Sequence, residues 1–121
     1  MTKEEKQLLL QDLCARLPYD TIVSVAEGGV DGIKWNKVTL NFYLLHQIEE
    51  EDGLEFVKPY LRPMSSMTEE EKKEYNAYHS HPDNIDDSPW FYVDWLNAHY
   101  FDYRGLIPKG LALEAPEGMY K

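Results

Sequence analysis

The apolar residues of the chain recur with one period at the N-terminus and with a shorter period after it. Over residues 2–18 they return every three or four positions, which predicts an amphipathic helix that packs by one face. Thr2 and Glu5 have capping-box spacing at its start, and a proline ends it. The predicted buried face holds five residues: Leu9, Leu10, Leu13, Cys14 and Leu17. The polar side, which includes Asp12 and Arg16, is expected to face water.

From residue 19 to residue 57 the chain is rich in β-branched and aromatic residues, and the period shortens to two. This pattern predicts three to five short antiparallel strands, arranged as a meander or a small SH3-like barrel. The expected strands are residues 21–26, 33–35, 38–43 with a continuation over 44–48, and 54–57. The glycine-rich stretch 27–32 is expected to be an ordinary turn.

Two segments follow the predicted sheet before the aromatic C-terminal part of the chain. Residues 58–63 contain two prolines, which predicts an extended connector that leaves the sheet. Thr68 and Glu71 repeat the capping-box spacing and predict a short, mostly solvated helix that runs to about residue 78.

Residues 88–113 hold seven aromatic side chains and are the best candidates to fill the core. Ser88 and Pro89 suit the cap and first position of a helix over residues 90–100. That helix is expected to be mostly buried, with Asp94 and Asn97 on a narrow polar stripe. Beyond it the chain is expected to make a last turn capped by Asp102, and then a short extended or helical tail over residues 111–115.

Together these elements predict a single α+β domain over residues 1–121. An N-terminal helix is followed by a small antiparallel sheet or SH3-like barrel, and two C-terminal helices pack on it. A chain of 121 residues has the length of one domain and can bury a workable core.

Charge and composition narrow the classes of function. The chain has 12 Lys and Arg against 22 Asp and Glu, a net charge of -10, which disfavours direct binding to nucleic acid or to an anionic membrane surface. Its single cysteine, Cys14, allows no intrachain disulfide. No apolar run resembles a signal peptide or a membrane span, so we expect a cytoplasmic protein.

The sharpest chemical pattern is HSHP at residues 79–82, because two imidazoles two residues apart can share one zinc ion. It resembles part of the JAMM metalloprotease motif, in which HxHP is followed by Ser-x-x-Asp. That resemblance implies His79 and His81 as zinc ligands. The sequence departs from the motif after Ser88, since Phe91 stands where the third ligand belongs.

A second group of candidates lies at the end of the aromatic segment. Asp94, Asn97, His99 and Arg104 would form the rim of an interaction surface if the fold exposes them together. The alternative for His99 is local pairing with the neighbouring Asp102 at the end of the helix.

Residues 58–75 and 91–121 resemble a family of short bacterial proteins of prophage or mobile-element type. The resemblance covers about the C-terminal half of the chain. It implies no particular activity, cofactor or partner.

The sequence favours a non-enzymatic protein-interaction or accessory module, because no nucleophile, base and orienting group form a recognisable set. The alternative is a zinc-dependent hydrolase that uses His79 and His81. The acidic charge either serves as a surface for a basic partner or keeps the protein soluble. The tyrosines are candidates for contact with a protein partner, which the sequence does not identify.

Overall fold

The computed structural model describes residues 2–29, 32–50, 53–79 and 89–120, with side chains assigned outside 27–29, 33, 50, 76–79 and 89–92. In chain order the elements are α1 (Lys3–Arg16), β1 (Ile22–Gly29), β2 (Gly32–Thr39), α2 (Phe42–Glu50), β3 (Val57–Leu61), α3 (Glu69–His79), α4 (Pro89–Ala98) and β4 (Leu113–Glu114). Short 3-10 turns cover Leu17–Tyr19, Gly53–Phe56 and Met64–Ser66. The α+β class, the N-terminal helix and the C-terminal helices are as predicted.

The four strands form one open, mixed sheet in the order β2-β1-β3-β4. Strand β1 is antiparallel to both β2 and β3, whereas β3 and β4 are parallel. The prediction of an SH3-like barrel is wrong, because β2 and β4 lie at opposite edges of the described sheet. The expectation of a purely antiparallel sheet is also wrong, because the C-terminal tail supplies a parallel edge strand.

The capping box of α1 is confirmed, but its predicted polar face is not. The Thr2 hydroxyl accepts the Glu5 N–H at 3.1 Å, and the Glu5 carboxylate accepts the Thr2 N–H at 2.8 Å. Asp12 and Arg16 are fully buried, whereas Cys14 is exposed. The helix is therefore rotated from its predicted orientation, because the two charged side chains pair with each other and with distant groups inside the fold.

A helix replaces the strand predicted after residue 41. The Asn41 Oδ1 accepts the Leu44 N–H at 2.8 Å, which satisfies one free donor at the start of α2. Leu45 and Ile48 are buried and three residues apart, so they share one helix face. In the sequence Phe42 continues the two-residue alternation of Val38 and Leu40, which is the pattern of a strand. In the structure its side chain is exposed.

The segments on either side of residue 57 also differ from prediction. Residues 53–56 form a 3-10 turn instead of a strand. The predicted connector 58–63 instead provides most of β3, which lies between β1 and β4. Pro59 is tolerated there because its missing N–H lies on the side away from β1, where β4 pairs only with Tyr60 and Leu61.

The buried apolar residues form two clusters. The larger lies against one face of the sheet and joins α1, α2, β1 and β3 to the C-terminal tail: Leu9, Leu13, Val23, Leu40, Leu45, Ile48, Leu54, Val57, Leu61, Leu106, Leu111 and Ala112. The smaller contains Trp95, Leu96 and Phe101 from α4 and the residues after it. The aromatic segment thus contributes to the core as predicted, although most of the core is leucine and valine.

A buried charge cluster connects α1 to the chain after α4. Asp12 accepts from the Arg16 Nε at 2.9 Å and from the Arg104 Nη1 at 2.8 Å. Arg16 also donates to the carbonyl of Phe101 at 2.5 Å, and its own carbonyl accepts the Thr21 hydroxyl at 3.1 Å. One carboxylate therefore pairs with two guanidinium groups, one from α1 and one from the chain after α4.

Tyr120 connects the C-terminus to the central strands. Its hydroxyl lies 3.0 Å from the Ile22 nitrogen, 2.7 Å from the Tyr60 carbonyl and 3.3 Å from the Ile22 carbonyl. Continued by one residue, the register of β1 and β3 would place Ile22 opposite Tyr60. The Tyr120 hydroxyl bonds the backbone groups of both residues, and so replaces the hydrogen bonds that they would make with each other. Its ring stacks on Tyr100 with centroids 3.7 Å apart.

Replacing Asp12 by Asn should destabilise the protein by about 3–5 kcal/mol, because Arg16 and Arg104 would lose their shared carboxylate inside the fold. Urea unfolding followed by circular dichroism measures the change in free energy. Asp20→Asn is the matched control, since Asp20 is exposed and Asn tolerates its left-handed backbone with φ of 52°. A loss in Asp12→Asn no larger than in the control contradicts the role given to the cluster.

Replacing Tyr120 by Phe should cost about 1–2 kcal/mol, because the backbone groups of Ile22 and Tyr60 lose the hydroxyl that pairs with them. Burial also raises the pKa of Tyr120 to about 12. An unfolded tyrosine loses its proton near pH 10, so wild-type stability should fall between about pH 10 and 12. Urea unfolding at a series of pH values measures this loss of stability. Tyr120→Phe should not show it, whereas the control Tyr43→Phe, at an exposed tyrosine, should show it as the wild type does.

Candidate binding surface

The face of the sheet opposite the main core carries aromatic and lysine side chains in adjacent rows. Lys37, Ser24 and Lys58 lie side by side across β2, β1 and β3, because paired residues project to the same face. In the next row Trp35 pairs with Ala26.

Tyr60 follows Lys58 two residues later on the same face. We refer to Trp35, Lys37, Lys58 and Tyr60 as the aromatic–lysine face. Two diagonal contacts connect its members. The Lys58 Nζ lies 5.9 Å from the centre of the Trp35 ring, and the Lys37 Nζ lies 5.4 Å from the centre of the Tyr60 ring. Each ammonium group is therefore within the range of a cation–π interaction.

The aromatic–lysine face is accessible to solvent at Trp35. This side chain is 47% exposed, although large aromatic side chains usually bury most of their area. A cavity of about 340 Å³ lies instead beside the main core, since its lining includes Val25, Leu44 and Ile48. The face therefore offers apolar contact area beside two positive charges.

The aromatic–lysine face carries two lysines in a chain whose net charge is -10. In the part of the chain that the structure describes, neither Lys37 nor Lys58 forms an ion pair, and their contacts are with aromatic rings. The three arginines, by contrast, all pair with carboxylates. The two lysines are thus the cations on this face that remain open to an external anion.

A second polar cluster lies at the other end of β3. Arg62 donates two hydrogen bonds to the Glu71 carboxylate, at 2.7 and 2.8 Å, and the His99 Nδ1 lies 3.3 Å from Glu71. Glu71 also completes the predicted capping box with Thr68. The Arg62 guanidinium holds the pKa of Glu71 down to about 2.

The Arg62–Glu71 pair lies in the wall of an open cleft of about 560 Å³, whose opposite wall includes Glu114, Glu117 and Tyr120. The hydrogen-bonding groups of Arg62, Glu71 and Tyr120 are already engaged within the protein. This cleft is therefore better explained as a structural junction than as a binding site.

The four residues predicted as an interaction rim do not form one exposed surface. Asp94 is exposed, but Asn97 is only 2% exposed and accepts the Tyr103 hydroxyl at 3.0 Å. His99 is partly buried against the Trp95 ring, with centroids 4.1 Å apart. Arg104 pairs with the buried Asp12. Three of the four candidates thus have structural roles, because the turn after α4 folds back onto α1.

The predicted zinc ligands are not brought together by any described contact. His79 is the last residue of α3, but its side chain lies outside the described part, and His81 with the rest of the HSHP loop lies outside the described residues. Elsewhere, the described residues contain no group of three His, Cys, Asp or Glu side chains placed to hold a metal ion. Zinc binding by His79 and His81 stays a prediction.

Comparison with other proteins gives no family assignment. The chain matches no known protein family, no curated protein and no solved structure. Among the described helices, none is long and apolar enough to cross a bilayer.

Sequence reasoning missed the aromatic–lysine face, although part of its signal is visible in the sequence. Trp35 and Lys37 are two residues apart, as are Lys58 and Tyr60, which is the spacing of one strand face. The predicted strands 33–35 and 38–43 leave out residues 36 and 37, so the prediction separates Trp35 from Lys37. The alignment of the two groups across β1 depends on strand register, which the sequence does not specify.

Replacing Glu71 by Gln should reduce the sensitivity of the protein to acid. The pKa of Glu71 falls from its ordinary value of 4.5 to about 2 in the folded state, so its stabilising effect is complete above about pH 4.5 and is lost as the pH falls towards 2. Allowing for solvent screening, this loss amounts to about 1–2 kcal/mol. Urea unfolding between these pH values should show a shallower decline in Glu71→Gln than in wild type or in the exposed control Glu70→Gln. Equal declines would contradict this assignment.

Proposed function

We propose that the protein is a non-enzymatic interaction module that binds an acidic segment of a partner protein on the aromatic–lysine face. The observation that carries the proposal is the pairing of two lysines with two aromatic rings, the exposed Trp35 and the half-buried Tyr60, on one sheet face of a strongly acidic chain. Aromatic residues supply large contact area, and charges beside them give the orientation and selectivity of a protein interface.

Charge complementarity favours an acidic partner segment. Trp35 lies one row from Lys37 and Lys58, so a carboxylate and an apolar side chain of one ligand can be accommodated together. Regions outside this face carry the excess of Asp and Glu that produces the net charge of -10. An acidic ligand is therefore attracted to this face and repelled by most of the remaining surface.

The same charge balance favours a protein over a nucleic acid. Exposed aromatics flanked by lysines can stack on unpaired bases, but single-strand binding also needs a positive groove that follows several phosphates. Two lysines on a chain with net charge -10 provide little of that field. A short acidic peptide carries fewer charges at lower density, so it is repelled less by the surrounding surface.

The proposal that this module serves a prophage or mobile element is supported by the resemblance of residues 58–75 and 91–121 to proteins of that type. Trp35 and Lys37 lie outside those stretches, whereas Lys58 and Tyr60 lie within the first of them. The contacts and exposure that support binding by this face do not depend on the resemblance.

Selection from a library of random short peptides displayed on phage tests the proposed function. Peptides enriched in Asp and Glu next to an apolar residue are expected, and their affinity is measured by fluorescence anisotropy. Lys37→Glu/Lys58→Glu should weaken binding by about tenfold or more, because it reverses both charges on the face. Lys73→Glu/Lys109→Glu makes the same change of net charge at exposed lysines elsewhere, and should change affinity by no more than about twofold.

Three results would contradict the proposed function: no peptide selected, peptides without acidic enrichment, or equal weakening in the two double variants. A labelled thymidine oligonucleotide is measured in parallel. Tighter binding of the oligonucleotide than of the selected peptides, lost in Lys37→Glu/Lys58→Glu, would assign the face to nucleic acid instead.

A further inference from the structure

We infer that the acidic segment binds as an additional β-strand along the free edge of β2, with acidic and apolar residues in a fixed alternation. This inference rests on the proposed function, and it specifies the conformation and the sequence pattern of the partner. It follows from the backbone of β2 as well as from its side chains.

The backbone groups of β2 that point away from β1 can be identified from the strand register. The Leu40 N–H donates to the Thr21 carbonyl at 2.8 Å, so the backbone of residue 40 faces β1. Because this direction alternates along a strand, residues 38, 36 and 34 also face β1. The N–H and C=O groups of Trp35, Lys37 and Thr39 therefore point outwards. In the described part of the chain, β1 is the only strand beside β2.

The side chains of β2 leave this edge open on both faces. Every residue from 34 to 39 is exposed, so no described element covers β2 above or below the sheet. An edge strand exposes unpaired N–H and C=O groups that can pair with another chain unless the strand is short, bulged, covered or protected by charged side chains. The lysines of β2, Lys34 and Lys37, disfavour an added strand that lacks carboxylates. Strand β2 spans eight residues and pairs with β1 in continuous register.

The side chains beside the free edge specify the pattern of the added strand. On one face Trp35 favours an apolar neighbour and Lys37 an acidic one; on the other face Lys34 favours an acidic neighbour and Val38 an apolar one. From position 34 to position 38 of β2, the preferred neighbours are thus acidic, apolar, unrestricted, acidic and apolar. Strand addition with side-chain selection of this kind is an established mode of peptide recognition.

A second copy of the protein fits this edge less well than an acidic segment does. Pairing two β2 strands would double the number of lysines at this edge, because each copy brings Lys34 and Lys37 and no residue of β2 supplies a carboxylate. The edge is therefore selective for a chain that supplies carboxylates.

Backbone N-methylation of the tightest selected peptide tests strand addition, because it removes hydrogen-bond donors and leaves the side chains intact. Two versions are made: one is N-methylated at the odd-numbered positions of the peptide, and the other at the even-numbered positions. Only one parity faces β2 in an added strand, so one version should lose about tenfold or more in affinity and the other should bind nearly as the parent does. Similar affinities for both versions, measured by fluorescence anisotropy, would overturn the inference.

Amide hydrogen exchange measured by NMR on the full chain gives an independent readout. The parent peptide should slow exchange at Trp35, Lys37 and Thr39, whose N–H groups point outwards, and should leave Asn36 nearly unchanged because it already faces β1. Uniform slowing, or none at these three residues, would overturn strand addition. The same protection in concentrated protein without peptide would assign the edge to a second copy and would also overturn it.

These outcomes separate the two proposals. An acidic peptide could bind with an affinity that depends on Lys37 and Lys58, yet show no difference between its two methylated versions and no alternation of exchange along β2. The proposed function would then stand, and strand addition would fail. If no acidic peptide is selected, both fail.

Discussion

The buried carboxylate of Asp12 is the constraint on which much of the described fold depends. It pairs with Arg16 one turn further along α1 and with Arg104 after α4, and Arg16 reaches the carbonyl of Phe101. Removing one member of such a buried group leaves an uncompensated charge, which costs far more than the pair itself contributes. The cluster therefore makes any other rotation of α1 unfavourable, and it sets the position of the helix relative to the chain after α4.

The same arrangement continues into the sheet and so into the candidate binding surface. The carbonyl of Arg16 accepts the Thr21 hydroxyl directly before β1 begins, and Thr21 in turn accepts the Leu40 N–H that closes the β1–β2 pair. Tyr120 then connects the first residue of β1 to β3. Because register decides which residues lie side by side, these contacts align Lys37 with Lys58 across the sheet.

Features that depend on neighbouring residues could be predicted from the sequence. Both capping boxes, at Thr2 and Thr68, form with the expected partners three residues away. Asp102 also caps the turn before residue 107, where its carboxylate accepts the Leu106 and Ile107 N–H groups. In each case the donor and acceptor are close in sequence, so local geometry alone determines the contact.

Features that depend on distant partners could not be predicted in this way. Arg16 is expected to face water when only its own helix is considered, because an exposed pair with Asp12 at i,i+4 spacing is as consistent with the sequence as a buried one. The carbonyl of Phe101, which Arg16 contacts inside the fold, is 85 residues away. The sequence predicts a connector at β3 because proline is unusual within a sheet. The structure explains why Pro59 is tolerated: β4 pairs only with Tyr60 and Leu61, so no described strand needs the missing N–H of Pro59. For the binding surface, the sequence shows two pairs of alternating residues, one in β2 and one in β3. Only the pairing of both strands with β1 places the two pairs side by side.

The division of cations between arginine and lysine connects the fold to the proposed function. All three arginines bind carboxylates within the protein, where a planar guanidinium can make several directed hydrogen bonds at once. The aromatic–lysine face instead uses lysine, a flexible and strongly hydrated point charge that is held near the rings without a fixed partner. An acidic ligand must displace water from these ammonium groups, which limits the affinity gained from each charge. Binding on this face should therefore be reversible and sensitive to salt, with the backbone edge of β2 and the exposed ring of Trp35 providing the contacts that salt does not screen.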